Sequence, residues 1–94
     1  MADNRIFKYE LSISDTQVVT VPVGHKVLSV QTQNGVPCMW CLVDTEEPTT
    51  EGLLIRMHGT GHPVGNAEHL EFIATFQIGG GSLVYHVFKD TRGV

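Results

Sequence analysis

The sequence predicts an all-β domain: a small antiparallel sandwich or barrel of about seven strands, with little or no helix. Apolar residues recur with period two through most of the 94 residues, the mark of strands with one face buried and one wet. The alternating stretches are short, and turn-forming Gly, Pro, Asn and Asp punctuate them at close intervals. An Asn-Gly pair midway along the chain supplies a strong hairpin signal.

The elements follow in order. In the first strand Phe7, Tyr9, Leu11 and Ile13 share one face, while Lys8, Glu10 and Ser12 take the other. Ser14-Asp15 turns the chain into a second strand over 17–21, closed by Pro22 and Gly24, whose fixed and permissive φ suit a turn. The third strand, 26–33, sets Leu28 and Val30 against Ser29, Gln31 and Gln33. Asn34 and Gly35 both tolerate positive φ, as a two-residue type I′ turn requires, so strands three and four form a tight hairpin. Strand four, 36–43, places Val36, Cys38, Trp40 and Leu42 on one face, and Pro37 belongs near its start because it has no N–H for a ladder. Residues 44–50 read as a polar loop. Strand five, 53–58, alternates Leu53, Ile55 and Met57 against Leu54, Arg56 and His58.

Residues 59–66 break the alternation with three glycines and a proline, which makes them a shaped loop, with one weak helical turn at 66–69. Strand six, 70–78, sets Leu70, Phe72, Ala74, Phe76 and Ile78 on one face. Gly79-Gly80-Gly81 turns into strand seven, 83–89, and residues 90–94 read as a frayed tail. Strands this short and closely joined suggest a meander, and Trp40, Phe72, Phe76 and Phe88 read as core. No repeat or composition shift divides the chain, so residues 1–94 form one domain.

Composition bounds the function. Hydrophobic residues make up 41% and charged residues 17%, the latter below the roughly 25% of an ordinary soluble domain. Some apolar or neutral surface is therefore expected to face a partner, a second copy of the chain being one candidate. A net charge of -4 and a pI near 5.6 argue against general nucleic-acid binding, though not against a local phosphate pocket. No apolar run approaches the length of a membrane span and the first residues lack a signal peptide's apolar segment, so the expectation is a cytoplasmic protein.

Few residues invite chemistry. Cys38 and Cys41 have C-x-x-C spacing, but residues three apart on a strand point to opposite faces, so the pair reads as inert rather than as a redox or zinc site. His58 and His62 flank a Gly-Thr-Gly turn, and His86 joins them if strands five and seven are neighbours. No acid stands close in sequence to orient them as metal ligands, so no metal or other cofactor is expected. The glycine segments match neither a P-loop nor a dinucleotide fingerprint. Arg56, inside a strand beside the first of them, has a guanidinium able to grip a carboxylate or phosphate. The serines lack a nucleophile elbow, and the reading is that the chain is not an enzyme.

Several blocks carry a resemblance: Ile6-Phe7-Lys8-Tyr9; the run from Val21-Pro22 through Asn34-Gly35-Val36-Pro37-Cys38 and Trp40 to Leu42-Val43-Asp44; Gly59-Thr60-Gly61-His62-Pro63; Phe72-Ile73 with Thr75-Phe76-Gln77; and His86-Val87-Phe88. Together they resemble a family of short, largely uncharacterised bacteriophage and prophage proteins. The resemblance implies a phage origin and a compact β-domain, and it transfers no catalytic residues. Cys41 departs from the small apolar residue that similar sequences carry there.

The resulting expectation is a phage-encoded, homo-oligomeric binding protein in the host cytoplasm. It would act by occupying a host protein, in an anti-defence or host-takeover role, or by sequestering a small anionic, nucleotide-like signal. The expected ligand-binding residues are Arg56, His58, Thr60, Gly61, His62 and His86. The alternatives are a virion or assembly subunit and, less favoured, a metal-dependent enzyme.

Overall fold

A computed structural model describes residues 2–94. Its seven strands are β1 (Asn4–Glu10), β2 (Thr16–Pro22), β3 (Lys26–Gln33), β4 (Val36–Asp44), β5 (Thr50–Gly59), β6 (Leu70–Ile78) and β7 (Leu83–Asp90). They form two antiparallel sheets, one in the order β1-β4-β3 and the other in the order β2-β5-β7-β6. The all-β reading stands.

The connectivity is not the meander the short loops suggest. Only β3–β4 and β6–β7 are neighbours both in sequence and in a sheet: the chain changes sheet after β1, β2 and β4, and β7 lies between β5 and β6. Period-two patterning determines which face of a strand is buried and leaves its neighbour open, and linkers of a few residues suffice to cross between stacked sheets roughly 10 Å apart. The first crossover is clamped by Gln17: Ser12 N–H donates to its Oε1 at 2.9 Å and its Nε2 donates back to Ser12 O at 2.7 Å. Asn34 and Gly35 sit at φ 52° and 79°, the mirror-image turn their sequence requires.

The core between the sheets comprises Leu11, Val21, Val30, Met39, Cys41, Val43, Leu53, Ile55, Met57, Phe76 and Val87. In β5 the inward row is Leu53, Ile55 and Met57, which leaves Arg56 and His58 on the outer face. In β4 the inward row is Met39, Cys41 and Val43, opposite in parity to Trp40 and Leu42.

Four details correct the sequence reading. Leu70 and Phe72 do not share a face with Ala74, Phe76 and Ile78, because the β6–β7 register slips between Phe72 and Ala74. A bulge at that point turns Phe72 outward, 58% exposed, while Phe76 is buried and stacks on Tyr85 at 5.6 Å between centroids. Of the four aromatics read as core, Phe76 alone is fully buried. The tail is folded: Thr91 N–H donates to His69 O at 2.8 Å, Gly93 N–H to Asp90 O at 3.1 Å, and Val94 lies against Gly52. Residues 68–69 form a turn without helix, and a short 3₁₀ turn occupies Gly79–Gly81 instead.

Candidate functional site

The outer face of the β2-β5-β7-β6 sheet carries the sequence-predicted residues. Cross-strand register puts Thr16, Arg56, Phe88 and Phe72 in one row, and His58, His86 and Thr75 in the next. Strands five and seven are neighbours as expected, so His58 lies directly opposite His86.

Each group is held differently. Thr60 N–H donates to Val84 O at 3.2 Å, continuing the ladder and bringing its hydroxyl to 2.7 Å from His86 Nε2. Thr75 Oγ1 lies 2.9 Å from His86 Nδ1, so threonine hydroxyls fix the ring from both sides. Gly61 sits at φ +83°, the left-handed geometry that closes the turn, and His62 N–H donates to Gly59 O at 3.0 Å. A Cβ at Gly59 would fall 2.9 Å from His62 Nδ1, so the bare glycine is what lets the His62 ring lie against the strand. The His58 ring meets Phe88 edge-on, 5.9 Å between centroids, and its Nε2 is buried with no hydrogen-bond partner.

Arg56, His58 and His62 line one cleft of about 470 Å³ with Ser14, Asp15 and Tyr85. It opens where the β2–β5 ladder ends at Thr16 and Arg56, and there Met57 N–H still reaches back to Asp15 O at 3.2 Å. Its size falls within the range of small-molecule sites. Thr60 borders a smaller cleft of about 200 Å³ on the other side of His62, and Thr60, Gly61 and His86 do not line the larger one.

The family described as "Domain of unknown function (DUF7352)" matches residues 2–93. The chain belongs to that family. No curated protein and no solved structure matches it.

In this DUF7352 domain Arg56 is not a free cation. Its Nε and one terminal nitrogen reach Asp90 Oδ2 at 3.2 and 3.1 Å, and the other terminal nitrogen donates to Thr16 Oγ1 at 3.1 Å. Arg92 grips the same carboxylate with Nε at 3.0 Å and a terminal nitrogen at 2.7 Å, and adds its backbone N–H at 3.1 Å. These donors, Arg92 foremost, hold the Asp90 carboxyl far below the usual carboxylate range. The Arg56–Asp90–Arg92 cluster carries one net positive charge, and Asp15 lies with Arg56 in the lining of the adjoining cleft.

Sequence reasoning missed Asp90, because nothing local distinguishes an Asp at a strand's end from any surface acid. It also missed Thr75 and the 14–15 turn, which only the fold brings to the site. Cys38 and Cys41 are both buried and unbridged, and burial pushes the Cys41 thiol up to about 11. Among the described residues no group of three or more His, Cys, Asp or Glu side chains is placed to hold a metal ion, and no helix is long and apolar enough to cross a membrane.

Proposed function

We propose that this domain is a non-catalytic binding protein that captures a small anionic, nucleotide-like ligand in the cleft walled by Arg56, His58 and His62. The observation that carries the reading is the cleft lined by Arg56, His58 and His62, with the unpartnered Nε2 of His58 buried beside it. An orphaned buried polar atom costs about 1–3 kcal/mol, and a fold retains such a cost most readily where a ligand supplies the missing partner. The cleft's volume and the Arg56 guanidinium in its lining support an anionic occupant. Among the described residues neither His58 nor His62 is hydrogen-bonded to a carboxylate, although Asp15 lines the same cleft, and His86 is tied to two hydroxyls, which favours recognition over proton transfer.

The resemblance of the sequence blocks to short phage proteins motivates placing this capture in an infected host, with sequestration of a defence signal as the biological role. A second reading, a subunit of a larger assembly, draws on the free edge of β1.

Titration calorimetry with cyclic nucleotides, an ADP-ribose-type nucleotide and inorganic phosphate tests the capture. Saturable heat with a nucleotide, lost in His58→Phe, is expected. Flat heats for every nucleotide would remove the reading.

A further inference from the structure

We infer that the free edge of β1 pairs with β1 of a second copy of this chain, joining two three-stranded sheets into one continuous antiparallel sheet. Among the described residues β1 is hydrogen-bonded to β4 alone. Leu11 N–H donates to Pro37 O and Asp3 O accepts from Thr45 N–H, so the odd-numbered residues direct their backbone groups toward β4. By alternation Asn4, Ile6, Lys8 and Glu10 direct theirs outward, as an unpaired template.

The other sheet edges are less suited to a partner. β3 and β6 run alongside each other across the seam between the sheets. The outward groups of β2 fall on Thr16, Val18, Thr20 and Pro22, and Pro22 has no donor. β1 carries neither a proline nor a bulge, and its register with β4 is unbroken over all seven residues. It also exposes apolar side chains at its centre, Ile6 at 60% and Phe7 at 42%.

Its sequence is complementary to itself in one register. A two-fold axis through Phe7, perpendicular to the sheet, sets Phe7 against Phe7, Ile6 against Lys8, Arg5 against Tyr9 and Asn4 against Glu10. The outward residues then fall into hydrogen-bonded pairs, each exchanging two bonds, and no like charges lie directly opposite. Lys8 is drawn clear of the edge, because its Nζ donates to Gln33 Oε1 at 2.8 Å on the far strand of the sheet. Sliding two residues one way sets Lys8 on Lys8, and sliding two the other way leaves Tyr9 and Glu10 unpaired.

The test combines sedimentation with amide exchange on the unaltered protein, from micromolar to millimolar concentration. A mass rising from 10.3 kDa to twice that is expected, with the amides of Ile6 and Lys8 slowing by about tenfold or more. Ile6→Pro removes an outward donor without touching the β4 ladder and is expected to stay monomeric with its strand content intact. Phe7→Cys is expected to form an intermolecular disulfide at the axis, whereas Lys8→Cys does not. A monomer throughout, with those amides exchanging freely at every concentration, would overturn the inference. A dimer that survives Ile6→Pro would overturn it too. These readouts need no ligand, so their failure leaves the cleft reading standing.

Discussion

Arg56 donates from Nε to Oδ2 of Asp90 across 3.2 Å, and that carboxylate is buried on the sheet face which the second sheet leaves uncovered. The pair ties the middle of β5 to the end of β7, and Arg92 closes over it from the following turn. Arg56 is therefore a structural cation first, and any ligand shares its charge with Asp90.

That arrangement gives an acid dependence. The donors lower the folded-state pKa of Asp90, so ionised Asp90 contributes stability that is fully present above the unfolded carboxylate value, about 3.9. The contribution is lost as pH falls through the lower folded-state value. Asp44 adds to the trend, its carboxyl lowered by the backbone N–H groups of Asp3 and Glu46. Asp90→Asn is expected to destabilise the protein by a constant amount above about pH 5, with the gap to wild type closing below about pH 4. Denaturant titrations across that range check this, and a gap that widens on acidification would contradict it.

The cysteines are expected to be chemically silent in the native state. The Cys41 thiol is pushed up to about 11 and so holds little thiolate at neutral pH, and burial keeps reagent from both sulfurs. Thiol titration at pH 7.5 is expected to modify both residues at least about 100-fold more slowly in native than in denatured protein.

His58→Phe separates stability from binding. Phenylalanine keeps the edge contact with Phe88 and removes the orphaned nitrogen, so the variant is expected to gain about 1 kcal/mol in stability. If the nitrogen is kept for a ligand, the same variant loses the calorimetric signal. A loss of stability in thermal unfolding would mean that Nε2 is satisfied in solution by another route.

Much of the fold was legible because periodicity and turn chemistry act locally. The hairpin at Asn34-Gly35 and the inward row of β5 follow from dihedral preference and alternation alone. The reading failed where one residue breaks the period. The bulge after Phe72 reverses the faces of β6, and no local feature of Phe72-Ile73-Ala74 announces it. At the site, alternation placed Arg56 and His58 on the outer face and the loop glycines brought in His62. The ion triad with Asp90 was hidden, because a buried charge on an outer sheet face depends on a returning tail that composition makes look loose.

Core truncation measures how narrow the stability margin is. Ile55 is fully buried between the sheets, and Ile55→Ala is expected to cost about 2–5 kcal/mol. That is a large share of the roughly 5–15 kcal/mol available to a small domain. Urea unfolding measures it, and a change under about 1 kcal/mol would show that the sheets relax to fill the void.

The sharpest test of the cleft is the imidazole nitrogen spectrum of ¹⁵N-histidine-labelled protein, titrated with an ADP-ribose-type nucleotide. The expected result is a saturable shift of the His58 Nε2 resonance accompanied by His62, with His86 moving little because Thr60 and Thr75 hold it. Histidine signals that stay fixed while the nucleotide reaches millimolar concentration would contradict the proposed site.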